Sequence, residues 1–137
     1  MNISPQAQGG DAQSSPVSKV RALIVDDHAD AAKMLQMMLG TFGCETAVAT
    51  NGIEALRMAN ETKPRLILLD IRMPKLDGYD TCGVIRAQPW GKDVGIIAIT
   101  GEAQSIQQSA ETKGFDSYLL KPIELADLEK AIRPYLA

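Results

Sequence analysis

Short runs of consecutive apolar residues alternate along the chain with segments whose apolar residues recur every three or four positions. Three runs, at residues 20–25, 66–69 and 95–99, are apolar at nearly every position. Such runs are typical of strands buried on both faces of a parallel sheet. Two shorter and more polar runs, at residues 45–49 and 117–120, are predicted as strands nearer the edges of the sheet.

Each predicted strand is followed by a segment with helical spacing. In the first helix the apolar face expected to pack into the core contains Met34, Leu35, Met38, Leu39 and Phe42. The next three helices are predicted at about residues 52–60, 78–87 and 103–113. A fifth begins after Pro122, and its inward residues are expected to be Leu125, Leu128 and Ile132.

A strand followed by a helix, five times over, predicts a parallel sheet with right-handed crossovers and helices on both faces. A closed barrel needs eight such units, for which 137 residues are too few. We therefore predict an open, doubly wound α/β domain over residues 19–137, with its ligand site at the carboxyl ends of the strands. Residues 1–18 carry one charge and little to bury, and are predicted to be a flexible tail.

Composition narrows the range of partners. The net charge is only −3 and aromatic residues make up 4%, so we expect neither a nucleic-acid surface nor a membrane anchor. No run approaches the roughly 20 apolar residues that span a bilayer. Cys44 and Cys82 form no C-x-x-C pair, and the single histidine, His28, adds no second group of metal ligands. These features favour a cytoplasmic protein.

The candidate site residues are polar side chains that directly follow four of the five predicted strands. Asp26 and Asp27 follow the first strand, Asp70 the third, Thr100 the fourth and Lys121 the fifth. Three carboxylates at one sheet edge repel one another unless a cation is present. Oxygen ligands of this kind favour Mg²⁺, Mn²⁺ or Ca²⁺ over zinc, and Mg²⁺ commonly binds one or two carboxylates together with a phosphate.

A divalent cation and Lys121 would neutralise the charge of the three carboxylates. An anionic phosphoryl group could then bind, with Thr100 and Lys121 as hydrogen-bond donors. One carboxylate can then act as a nucleophile and form an aspartyl phosphate, and Asp70 is the candidate because its strand is central. Each residue also has a simpler interpretation. Asp26 or Asp27 could cap the helix that follows, and Lys121 could be a solvated surface residue.

These residues lie in segments that resemble the response-regulator receiver domains of two-component phosphorelay signalling. LIVDDH at residues 23–28 is similar to the acidic pair of the family's first strand, and LILLDIRMPKLDG at 66–78 to its phosphoacceptor segment. AIT at 98–100 and LKP at 120–122 resemble its hydroxyl and lysine strands. The resemblance covers residues 19–135 and implies a flavodoxin-like sheet with strand order 2-1-3-4-5 and five helices.

The resemblance also implies roles for the residues at the strand ends. Asp70 would accept a phosphoryl group from a sensor histidine kinase or a histidine phosphotransfer protein. Asp27 and Asp70 would bind Mg²⁺ (or Mn²⁺) directly, Asp26 mainly through water, and Arg72 through its backbone carbonyl. Lys121, whose peptide bond to Pro122 is expected to be cis, and Thr100 would contact the phosphoryl group.

Signalling is expected to depend on a switch in which Thr100 moves towards the phosphoryl group and Tyr118 fills the vacated space. A downstream protein would bind the face formed by the fourth predicted helix, the fifth strand and the fifth helix. Arg72 and Glu102 are expected at the rim of the site, where their opposite charges could pair. The protein would catalyse only its own phosphorylation and dephosphorylation, and is therefore not predicted to be an enzyme.

Two alternatives remain beside a stand-alone receiver without an output domain. The chain could be a receiver excised from a hybrid histidine kinase, because GFDSYLLKP at residues 114–122 resembles the end of receivers in such kinases. A haloacid-dehalogenase-type phosphatase also forms an aspartyl phosphate on an α/β sheet. It requires a D-x-D pair after its first strand, whereas Asp26 and Asp27 are adjacent.

Overall fold

A computed structural model describes residues 19–72, 77–101 and 114–136 of the chain. Its strands are β1 (Val20–Val25), β2 (Cys44–Ala49), β3 (Leu66–Asp70), β4 (Gly95–Thr100) and β5 (Ser117–Leu120). Its helices are α1 (Ala29–Thr41), α2 (Gly52–Thr62), α3 (Gly78–Ala87) and α4 (Leu125–Ile132), with a 3-10 turn at Arg133–Tyr135. Within these ranges no helix is both long and apolar enough to cross a bilayer.

All neighbouring strands pair in parallel, in the order β2-β1-β3-β4-β5. The predicted doubly wound, flavodoxin-like fold is thereby confirmed, and the two more polar strands do lie at the edges. The final residues of β3 and β4 are paired within the sheet: Asp70 lies opposite Ile99, and Thr100 opposite Leu120. The predicted helix at 103–113 and the predicted tail at 1–18 lie outside the described residues.

Helices cover both faces of the sheet, so the apolar side chains form two clusters. On one face, residues of α2 and α3 such as Ala55 and Ile85 pack with alternate residues of β1, β3 and β4. On the other face, α1 and α4 contribute Leu35, Leu39, Leu128 and Ile132. Because β3 has covered faces and a strand on each side, all five of its residues are buried.

Two apolar residues expected in the core are instead exposed. Met34 of α1 has 59% of its surface accessible, and Leu125 of α4 has 48%. The buried side of α1 consists of Ala32, Leu35 and Leu39. Met34 is one position before Leu35 and so points about 100° away from it around the helix. Met34 and Leu125 line a mostly apolar groove of about 630 Å³ beside the carboxyl ends of β4 and β5.

The guanidinium of Arg86 connects the end of α3 to the loops that enter β4 and β5. It donates hydrogen bonds to the carbonyls of Val94 (2.6 Å) and Gly114 (2.9 Å), and pairs with the Asp116 carboxylate at 2.8 Å. Asp116 in turn accepts the backbone N–H of Ile96 at 2.9 Å. One side chain therefore donates to several backbone acceptors and one carboxylate at once.

Replacing Arg86 should destabilise the domain far more than replacing an exposed arginine. We expect Arg86→Ala to lower the free energy of unfolding by about 2–3 kcal/mol, because partly buried acceptors lose their donor. Arg57→Ala is the control: Arg57 is exposed on α2 and pairs with Glu61 one turn away, so its loss should cost about 0.5 kcal/mol. Urea unfolding measures both, and equal losses would contradict the proposed role of Arg86.

Candidate functional site

The parallel register brings the polar strand-end residues to one edge of the sheet. Asp70 is the last residue of β3 and Thr100 the last of β4, while Asp26 follows β1 and Lys121 follows β5. Carboxylate oxygens of Asp26, Asp27 and Asp70 lie within 4.8 Å of one another. The ammonium of Lys121 is 3.2 Å from Oδ2 of Asp70. Residues separated by as many as 95 positions in sequence are therefore neighbours in space.

Asp70 is buried, with 2% of its surface exposed, yet both of its carboxylate oxygens have donors. Oδ1 accepts the backbone N–H of Arg72 at 3.1 Å, and Oδ2 accepts the ammonium of Lys121. Burial raises the pKa of Asp70 above its usual value, and the charge of Asp26 adds to this rise. Lys121 and the Arg72 N–H act in the opposite direction but do not cancel the effect of burial on this pKa.

The charges of the cluster match those of a divalent cation. Three carboxylates and the Lys121 ammonium leave a local charge of −2, which one divalent ion would neutralise. Carboxylate oxygens are hard ligands, of the kind that Mg²⁺ binds. The residues present therefore fit a magnesium site, on the chemistry of their donors and on their spacing.

Asp26 and Asp27 occupy different environments although they are adjacent. Asp26 is buried; its N–H donates to the carbonyl of Ala49 at 3.0 Å, and its Oδ1 accepts the N–H of His28 at 2.9 Å. Asp27 is partly open to solvent. The residue at the N-cap of α1 is His28, so neither aspartate occupies the capping position considered from the sequence.

Thr100 and Tyr118 share one face of the sheet. Thr100 lies two residues beyond Ala98 on β4, and Tyr118 lies opposite Ala98 on β5. Tyr118 is half-buried against the cluster on the face covered by α2 and α3. The N–H of Lys121 donates to the Thr100 carbonyl at 2.8 Å, and the bond from Lys121 to Pro122 is cis, as the resemblance implies.

Of the two residues predicted at the rim of the site, the structure describes Arg72 only. Arg72 is exposed, and its backbone is held close to the site through its N–H bond to Asp70. Glu102 lies outside the described residues. The pairing of Arg72 with Glu102 therefore stays a prediction.

Gly78 permits a close approach between the start of α3 and the end of β3. Its N–H donates to the carbonyl of Ile71 at 2.9 Å. A Cβ at this position would lie 2.6 Å from Cα of Ile71 and 2.9 Å from the carbonyl oxygen of Asp70, which is closer than side chains tolerate. The preceding Asp77 caps α3 by accepting the N–H of Asp80 at 2.9 Å. The start of α3 is therefore bonded to the backbone of Ile71, and the missing side chain of Gly78 lets it lie close to the carbonyl of Asp70.

His28 is absent from the predicted set of site residues, yet its side chain lies beside the acidic pair. Its Nδ1 is 3.1 Å from Oδ1 of Asp27 and 3.4 Å from Oδ1 of Asp26. The signal that could have found it is three consecutive residues of metal-ligating type directly after a buried strand. His28 was not predicted as a site residue because the chain has no second histidine with which it could form a recognisable metal-binding motif.

The family model of the response regulator receiver domain matches residues 22–133. The chain belongs to this family. Among solved structures, the receiver is similar to the chemotaxis protein CheY4 of Vibrio cholerae, with a TM-score of 0.81 and 28% identity over 87% of this chain and all of that one. It is also similar to the receiver domain of the sensor histidine kinase PA1611 of Pseudomonas aeruginosa, with a TM-score of 0.79 and 32% identity.

That Pseudomonas structure has a magnesium ion coordinated in its active site cleft, and the alignment covers 86% of this chain and 98% of that one. Among curated sequences, PrrA of Mycobacterium tuberculosis, a transcriptional regulatory protein, is 37% identical over 88% of this chain. The receiver spans about half the length (51%) of that protein. An uncharacterised 14.6 kDa protein of Leptolyngbya boryana is 33% identical over 87% of this chain and 92% of its own length.

Neutralising Asp70 should stabilise the protein when no metal is present. In excess chelator we expect Asp70→Asn to raise the free energy of unfolding by about 0.5–2 kcal/mol, the range of ordinary point substitutions, because a buried carboxylate is removed. A raised pKa means that the folded state binds the proton more tightly than the unfolded state does. The unfavourable contribution of Asp70 to wild-type stability is therefore lost as the pH falls through that pKa, and the advantage of the variant should shrink towards pH 3.8, the ordinary value for aspartate.

Thermal unfolding at several pH values, with chelator and with excess Mg²⁺, measures this effect. Mg²⁺ should stabilise the wild type more than the variant, because ligand binding to the folded state raises stability. A variant that is less stable than the wild type in chelator at pH 7 would contradict the account.

Proposed function

We propose that the receiver takes up a phosphoryl group on Asp70 from the phosphohistidine of a sensor histidine kinase or a histidine phosphotransfer protein. A carboxylate oxygen of Asp70 supplies the electron pair that forms the new O–P bond. The N–P bond of the donor breaks, its electron pair stays on the imidazole nitrogen, and that nitrogen takes up a proton. The observation that carries the proposal is the ionic arrangement around Asp70, with Lys121 at 3.2 Å and the acidic pair alongside.

The carboxylates of Asp26, Asp27 and Asp70 and the backbone carbonyl of Arg72 would hold Mg²⁺, and Mn²⁺ suits the same oxygen ligands. When bound, the ion supplies positive charge that stabilises the phosphoryl oxygens during transfer. The chain's own contribution is to position the nucleophile. Asp70 is held by two donors, and Lys121 and the Thr100 hydroxyl are proposed to donate to the transferred group.

We propose that the receiver acts on no substrate other than its own aspartate, and that it signals through changed protein contacts. The binding face would include β5 and α4, between which lies a groove of about 520 Å³ lined partly by Tyr118, Leu120 and Lys130. Two free, buried cysteines favour a reducing compartment, and we therefore place the exchange in the cytoplasm.

Relatives support both proposed architectures. The Leptolyngbya protein and CheY4 are matched over nearly their whole lengths, which favours a stand-alone receiver. The similarity to the receiver of a sensor histidine kinase favours the alternative, a domain excised from a hybrid kinase.

The central test is phosphorylation by a small phosphodonor such as acetyl phosphate, followed by intact mass measurement. With Mg²⁺ the wild type should gain the mass of one phosphoryl group, whereas chelator or Asp70→Asn should abolish the gain. Because the core is apolar and continuous, chelator should leave the far-UV circular dichroism nearly unchanged. Glu61→Gln is a control at an exposed acidic residue on α2 that is not part of the cluster. Undiminished labelling of Asp70→Asn would overturn the proposal.

A second test separates phosphorylation from its transmission. Thr100→Ala should still accept a phosphoryl group, but the Tyr118 ring should respond less, because the hydroxyl that links the two is missing. The NMR signals of the Tyr118 ring, before and after addition of the phosphoryl mimic beryllofluoride, report this response. Thr100→Ser retains the hydroxyl and should behave like the wild type. Equal shifts of the Tyr118 signals in Thr100→Ala and wild type would show that Thr100 does not couple them.

A further inference from the structure

His28 is the one residue beside the acidic cluster that carries nitrogen ligands of the kind transition metals prefer. One of its ring nitrogens and one carboxylate oxygen each of Asp26, Asp27 and Asp70 all lie within 4.8 Å of one another. Two ligands on opposite sides of an ion with bonds of about 2.1 Å are about 4.2 Å apart. A small movement of the side chains is therefore enough for all four groups to contact one ion.

The backbone holds His28 in this place. Its N–H donates to Oδ1 of Asp26 at 2.9 Å, which fixes the residue against the end of β1. His28 is the N-cap of α1, but its side chain makes no capping hydrogen bond. The imidazole is 70% exposed. Its contacts with Asp26 and Asp27 keep this exposed side chain beside the cluster, where it is available to a ligand.

We propose that His28 is a ligand of the metal bound at the acidic cluster, and that it shifts the selectivity of this receiver from Mg²⁺ towards Mn²⁺, Co²⁺ and Ni²⁺. This inference rests on the proposed metal site and concerns which ions that site prefers. Mg²⁺ gains little from an imidazole because it favours oxygen ligands and water. Affinity for nitrogen-containing sites rises from Mn²⁺ to Ni²⁺, so one added imidazole separates these ions from Mg²⁺.

A competing explanation is that the imidazole only pairs with Asp27, as its distance of 3.1 Å also allows. The two explanations differ in whether nitrogen is bonded to the ion. Because the sequence contains a single histidine, a histidine nitrogen signal from a tag-free chain can be assigned to His28 without ambiguity.

The test is pulsed electron paramagnetic resonance of Mn²⁺ bound to the tag-free full chain. We expect modulation from a directly bonded imidazole nitrogen in the wild type, and its loss in His28→Phe. Asp30→Asn is the control, because Asp30 also lies in the first turn of α1 but is not part of the cluster. The nitrogen signal should persist in that variant.

Calorimetric titration with Ni²⁺ and Mg²⁺ provides an independent reading. His28→Phe should lower Ni²⁺ affinity by about tenfold or more and change Mg²⁺ affinity by less than about twofold. Mn²⁺ binding without a nitrogen signal, or equal losses for both ions, would overturn the role of His28 and leave the metal site standing. A wild type that binds no divalent ion would contradict the proposed metal site itself, and the role of His28 with it.

Discussion

The arrangement around Asp70 depends on the cost of keeping a buried carboxylate ionised, which the proposed attack on phosphorus requires. Its position at the end of the central strand β3 makes it inaccessible, and burial disfavours its charge. Lys121 and the N–H of Arg72 offset part of that cost. The charge of Asp26 adds to it, and a cation bound at the site would offset that repulsion.

Much of this arrangement could be predicted from the sequence because it depends on local signals and one topological rule. Continuous apolar runs indicate buried strands, and parallel strands place their carboxyl ends at one edge. The predicted third and fourth strands were each one residue short. The predicted ends were placed at the last apolar residue. Backbone pairing continues through Asp70 and Thr100, whose polar side chains give no hydropathy signal for a strand.

Other features depend on packing that spacing does not encode. Met34 and Leu125 are apolar and were predicted in the core. The orientation of α1 and the position of Leu125 at the start of α4 place them beside a groove instead. His28 lies near the acidic pair because of its backbone bond to Asp26 and the rotamer of its ring. A chemotaxis protein, transcriptional regulators and a sensor kinase all contain a domain similar to this chain. The shared fold therefore does not by itself specify the output.

The two charged partners Asp70 and Lys121 are attached to strands that differ in rigidity. Asp70 belongs to β3, which has a hydrogen-bonded strand on each side, whereas Lys121 follows β5, which is four residues long and bonded only to β4 in the described sheet. Strand edges with few partners open and shift at lower cost than central strands do. A displacement of Lys121 relative to Asp70 should therefore cost less on the β5 side, where Tyr118 is located. Asp70 is thus supported by the central strand of the core, whereas Lys121 is supported by the short edge strand β5, which is displaced more easily.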